Sequence, residues 1–207
     1  MNPLFVCPPG ASLEAVPSQE CPVRFDQICK FAFQRMQTTA SFTTTTLLAQ
    51  ATWTPLLAAS NDTKIIISPY VSNFVIPRGE VLKEGGNDNT TLNGIPRLNG
   101  LSAVSCTGEL QDIESAVAEA LRALASESAI MAGLTNLWMY MFNRFGQIIT
   151  DIDSTNCPGI PVYNVCAGDT GTEGLNKSNI NNLTFDLAPG WSRKVKMFTP
   201  SFNPLTL

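Results

Sequence analysis

Three short strings hold residue types that can do chemistry. Asp169-Thr170-Gly171 is the tripeptide of aspartic proteases. That mechanism needs two carboxylates about 3 Å apart sharing one proton, so a single copy works only in a dimer. Gly168 stands where an apolar residue usually precedes the Asp, and the glycines and polar residues that follow are turn material. A polar loop is therefore expected here. Asp151-Ile152-Asp153 opens like a calcium loop, but Asn156 replaces the sixth-position glycine and Val162 occupies the place of the bidentate Glu. A hairpin end is the better reading. Arg193, Lys194 and Lys196 form a small basic cluster, with both lysines expected on one solvated or salt-bridging strand face. Such a cluster binds phosphate only weakly.

The chain contains no histidine. This removes Ser-His-Asp and Cys-His catalysis, histidine metal sites and the usual acid-base residue near neutral pH. No phosphate-binding glycine loop, dinucleotide fingerprint or nucleophile elbow is found, so nucleotide binding and hydrolase chemistry have no support. No catalytic, cofactor or metal residue is assigned, and the chain is not expected to be an enzyme. Six cysteines (Cys7, Cys21, Cys29, Cys106, Cys157 and Cys166) follow no zinc spacing. They read as small buried hydrophobes, with a Cys7–Cys21 or Cys157–Cys166 bridge as the rival.

Of the 207 residues, 44% are hydrophobic and only 14% charged, against about 25% in ordinary soluble domains. Disorder is excluded, because disordered chains are rich in charge and poor in apolar residues. So much uncharged surface usually meets another protein surface. A net charge of −4 argues against a nucleic-acid-binding domain, which carries a basic patch. The first residues have neither a positive region nor a long apolar run, so no signal peptide is expected. No stretch is long and apolar enough to suggest a membrane span.

The elements follow from periodicity. Residues 1–22 are rich in proline and read as an extended arm, leaving 23–207 as one domain. Phe25, Ile28, Cys29, Ala32 and Met36 are spaced for a helix over 24–36, although Phe31 and Phe33 also alternate as in a strand. The Thr-rich segment 38–46 favours an extended strand or a link packed on a neighbour. A short helix is expected over 53–59, then strands over 64–68 and 71–76. Residues 83–100 form the longest polar stretch, a loop or a protruding hairpin with strand-like flanks at Val81-Leu82 and 95–98. Leu110, Ile113, Val117, Leu121 and Leu124 make one apolar stripe, predicting a helix over 108–131. Thr107 would cap it, Glu109 and Asp112 would suit its positive end, and Glu114, Glu119 and Glu127 would make its outer face acidic. From Leu134 the period becomes two. Leu137, Met139 and Met141 share one face, and Trp138, Tyr140 and Phe142 the other, so both faces must be covered. Strands are further expected over 147–152, 160–166, 182–187 and 194–198. The fold class is α+β: an antiparallel β-sandwich or barrel with one main amphipathic helix, a long polar loop or hairpin and an extended N-terminal arm.

Several strings resemble the major tail (tail tube) proteins of tailed bacteriophages. They are Trp53-Thr-Pro-Leu-Leu-Ala-Ala-Ser-Asn-Asp-Thr-Lys-Ile-Ile-Ile-Ser-Pro-Tyr, Ile76-Pro-Arg-Gly-Glu, Gly85-Gly-Asn-Asp-Asn-Thr-Thr-Leu-Asn-Gly, Asn181-Asn-Leu-Thr-Phe-Asp-Leu-Ala-Pro-Gly-Trp191 and Phe198-Thr-Pro-Ser-Phe-Asn-Pro-Leu. The resemblance covers about 50–205 and is one of pattern. It implies hexameric rings stacked into a tube, in a virion tail assembled in the bacterial cytoplasm. The implied partners are copies of the chain and other phage tail proteins, with no membrane and no cofactor. DNA would pass through the lumen without specific binding, and an acidic wall suits sliding. Neck, tail-terminator, baseplate and capsid-decoration proteins reuse related folds. The subunit-interface residues expected on this reading are Thr43, Thr44 and Thr45, then Glu84, Asn87, Asp88, Asn89 and Thr90, together with the arm.

Overall fold

The computed structural model of the protein describes residues 25, 27–86, 92–128, 137–172, 174–175 and 177–207. The expected arm and the Cys7–Cys21 bridge lie outside these residues.

The strand that organises the fold is the one whose two faces are both apolar. All of Leu137–Asn143, which we call β7, is buried. One edge pairs along its length with β1 (Ile28–Arg35), from Arg35↔Leu137 to Ile28↔Asn143. The other edge is shared between β8 (Ile148–Asp151), at Met141 and Phe142, and β9 (Ile160–Thr172), from Leu137 to Met139. β1 also pairs with β2 (Ile65–Ile67), and β9 leads through β10 (Asn179–Leu187) and β6 (Val104–Gln111) to β3 (Val71–Val75). β11 (Val195–Phe198) extends the sheet beyond β8. Every pairing is antiparallel.

The sheet rolls up. β1 and β10 are three strand spacings apart along the ladder, about 14 Å if flat. Yet the rings of Phe31 and Phe185 lie 5.4 Å apart, and Phe74 of β3 lies 5.0 Å from Phe31. The two ends of the roll, β2 and β3, are joined by residues 68–70, with Ser68 donating its N–H to the Phe31 carbonyl. The barrel interior holds Phe31, Phe33, Leu137, Met139 and Met141. A second apolar cluster lies on the outer face of β1, β7 and β8, around Ala32, Tyr140, Phe142 and Ile148. It is covered by Phe42, by α1 (Gln50–Ala58) through Trp53, and by the C-terminal residues Leu205 and Leu207. The two-sided cover demanded by the period-two pattern is thus present. The fold is α+β, an antiparallel rolled sheet with flanking helices.

Four expectations change. Residues 28–35 are a strand, not a helix. A strand buried on both faces is apolar nearly throughout, and such a run contains helix-like spacings by accident. The expected helix 108–131 divides into β6 and α2 (Ser115–Ser128). Val104, Cys106 and Leu110 alternate inward, and Thr107 pairs with Thr184 rather than capping a helix. Gly108 lies against β3, where a Cβ would come within 2.5 Å of Val71 Cγ1. Asp112, at φ 48°, ends β6 by exchanging hydrogen bonds with Asn179, its N–H donating to the Asn179 carbonyl at 2.9 Å. The expected loop at 168–171 is the outer half of β9. Lys194 precedes β11 rather than sharing its face with Lys196, because the turn at 191–193 carries into it. The Thr-rich segment is a link: Thr43 makes an isolated bridge to Asn156, and a short 3-10 turn follows at Thr46–Leu48.

α2 covers an exposed part of β9. Beyond Val162, β9 has no β7 partner, and two bulges interrupt its ladder with β10, near 164–165 and 168–169. Ser128 Oγ of α2 accepts the Val165 N–H at 2.8 Å, and Arg122 donates to the carbonyls of Ala167 and Gly168. Covering an open edge in this way prevents it from templating another strand.

Candidate assembly surface

The described flanks of the 83–100 excursion pair as a hairpin. β4 (Val81–Glu84) pairs with β5 (Arg97–Leu101) as a separate two-stranded sheet. Its root is fixed by Ser102, whose N–H donates to the Glu80 carbonyl and whose hydroxyl accepts the Glu80 N–H, both at 2.8 Å. The register sets Val81 opposite Leu101 and Lys83 opposite Leu98, with one extra residue on β5 between them. Val81, Leu98 and Leu101 therefore share one face with Lys83. On the other face Glu84 stands opposite Arg97, beside Leu82.

Among the described residues, little packs against the face of Val81 and Leu98. Val81 is 53% exposed and Leu98 44%; Leu82 on the other face is 43% exposed, and Ile95, just before β5, 65%. An isolated two-stranded hairpin is marginal in water, and its stability depends on a third element or a covered face. Elsewhere large apolar side chains are exposed singly, as at Phe145 and Tyr70, which is ordinary. The hairpin is different because several exposed apolar residues lie together on one short two-stranded sheet.

The expected interface residues separate into groups. Thr43 and Thr44 are half-buried and serve the fold: the Thr43 N–H donates to Thr46 Oγ1 at 2.8 Å, and the Thr44 N–H donates to the Thr155 carbonyl at 2.9 Å. These bonds hold Phe42 and Leu47 in the second cluster. Thr45 is exposed. Glu84 is exposed at the end of β4. Asn87, Asp88, Asn89 and Thr90 lie outside the described residues. The apolar hairpin residues Val81, Leu98 and Leu101 were missed as interface candidates, since attention went to the polar tip. The alternation across the flanks was the signal that could have found them.

The chemically suggestive strings resolve into structure. Asp169 is almost wholly exposed and pairs with Arg122 Nη2 at 2.8 Å. Asp153 faces Lys194 at 3.6 Å. Asp151 closes β8, and its burial raises its pKa, helped by Asp153 and opposed by the Ile152 N–H and Lys194. Cys157 and Cys166 are separate free thiols: Cys157 is buried in the second cluster as expected, Cys166 is exposed on β9 against the expected burial, and the rival bridge between them is not formed. Among the described residues no group of three or more Cys, Asp or Glu side chains is placed to hold a metal ion. No described helix is long and apolar enough to cross a membrane.

A groove of about 360 Å³ lies between the β1–β2 edge and α2. Arg35 spans it, donating to Asp62 Oδ1 at 2.6 Å and to both carboxylate oxygens of Glu127. These partners hold the guanidinium firmly protonated, the Glu127 hydrogen bond foremost. Arg35, Asp62 and Glu127 are thus matched to one another, and Lys64 also lines the groove.

No family model matches the chain, and no curated protein matches it. Among solved structures, a chain of the anti-feeding prophage baseplate, determined by cryo-electron microscopy with six-fold symmetry, is similar at 12% identity. The match covers 89% of this chain and 100% of that one, with a TM-score of 0.35. A score this low carries no functional weight, so the case for a function rests on the chain's own residues.

Proposed function

We propose that the protein is a bacteriophage virion structural subunit that works by joining copies of itself, as a tail tube protein does, and not by catalysis. The observation that carries this reading is the β4–β5 hairpin, whose apolar side chains Val81, Leu82 and Leu98 stay exposed among the described residues. The low charged fraction supports it, since such a surface is suited to burial against other subunits. So does the resemblance of the strings at 53–70, 76–94, 181–191 and 198–205 to tail tube proteins. Contacts between unlike patches on identical subunits close into rings or run on as filaments. An acidic ring repels DNA and lets it slide through the lumen.

Deletion of residues 84–93 tests the hairpin's part. The expected result is a folded monomer with unchanged circular dichroism and no higher assembly in sedimentation velocity. Tubes of normal length from the deleted protein would overturn the assignment. A discrete trimer or dodecamer from the full chain, indifferent to concentration, would point instead to a neck, terminator, baseplate or decoration protein.

A further inference from the structure

We infer that Leu82 of one copy seats in the groove between β2 and α2 of the next copy, with Glu84 set against Lys64 of that groove. The inference rests on the reading of the hairpin as the joining element and names the surface that receives it.

The groove offers an apolar seat beside one unmatched charge. Phe33 and Leu124 are buried along it, while Ile66 stays 38% exposed. Ala120 and Ala123 line its α2 side, and such small side chains leave room. Its volume of about 360 Å³ is that of a compact ligand pocket. Arg35, Asp62 and Glu127 satisfy one another there. Lys64, directly before β2, is exposed, lines the same groove and makes no ion pair among the described residues.

The hairpin carries the complementary pattern. Leu82 stands opposite Gly100, so it rises beside a residue without a side chain. Glu84 shares its face and is exposed. No ion pair joins Glu84 to Arg97 across the hairpin or to any other described residue. On both partners the apolar residue and the charge are two positions apart, about 7 Å along an extended chain. Laid antiparallel, β4 therefore brings Leu82 onto Ile66 and Glu84 onto Lys64 together. Leu82 is 43% exposed on its own chain, so the groove is filled from another copy. Hairpin and groove are unlike patches, and such a joint repeats head to tail into a ring or a filament.

Charge reversal in the full chain, read by sedimentation velocity, tests the docking. Lys64→Glu and Glu84→Lys should each weaken association by about tenfold, since each sets like charges together. The double variant should associate like the parent. An equimolar mixture of the two single variants should associate as well, because each hairpin then finds a groove of opposite charge. Leu82→Asp should weaken association with circular dichroism unchanged. Single variants that associate like the parent would overturn the inference, as would a double variant or a mixture no better than the singles. If those single variants associate normally and deletion of 84–93 still abolishes assembly, the groove is the wrong seat and the hairpin reading stands. Rescue by charge exchange within a small oligomer of fixed size would uphold the docking and sink the tube reading. A parent chain that stays monomeric at every concentration would overturn both.

Discussion

Arg122 donates to the carbonyls of Ala167 and Gly168, to Asp169 Oδ1 and to Glu119 Oε1, at 3.2, 3.1, 2.8 and 2.7 Å. A planar fork can meet so many acceptors where a lysine ammonium cannot. Arg122→Ala should lower stability by about 1–3 kcal/mol in urea unfolding, and Arg122→Lys should recover only part of it. The buried thiols make a second prediction at this scale. Burial pushes the Cys106 thiol up to about 12, with Asp186 adding to it, and the Cys157 thiol up to about 11, from an ordinary 9.0. Unfolded thiols release their protons at lower pH than these two, so unfolding above pH 9 releases protons and stability falls as pH rises. Their contribution is complete below pH 9 and fades through 11–12. At neutral pH, peptide-mapped alkylation of the folded protein should modify Cys166 and spare Cys106 and Cys157.

At the scale of elements, the second cluster depends on one side chain. Trp53 of α1 is fully buried, stacks on Phe42 at 4.4 Å and meets the edges of Tyr140 and Phe142 at 5.7 Å. Its indole N–H donates to the Leu47 carbonyl at 3.0 Å. Trp53→Ala should cost about 3–5 kcal/mol, seen as a lower thermal midpoint, because a cavity opens and a buried carbonyl loses its donor. Which elements were legible follows from how their faces are used. β7 could be read from the chain because its two apolar faces differ in residue type, with Met and Leu inward and aromatics outward. β1 could not, since Phe31, Ala32 and Phe33 in succession erase the alternation and leave a chance helical spacing. The boundary between β6 and α2 was hidden because Leu110 lies one helical step before Ile113 and so extended the true stripe of α2. Only the long-range ladder with β10 and β3 makes residue 110 part of a strand. The hairpin was legible as an alternative. The face proposed for assembly was not, since exposure is set by what fails to pack on it.

The whole molecule divides its surface between matched charge and unmatched apolar area. Arg35, Arg122 and Lys194 each face carboxylates of their own chain. Among the described residues, little packs on the exposed apolar residues of the hairpin. If the molecule associates as proposed, its apparent stability should rise with protomer concentration. The thermal midpoint of the full chain should climb on concentration, while that of the protein lacking 84–93 should stay fixed. The most direct test of the central claim is negative-stain electron microscopy of the purified full chain at two concentrations, beside its light-scattering mass. The account predicts rings or stacked tubes with a central hole, and a mass that grows with concentration. A monomer of constant mass at both concentrations would contradict it.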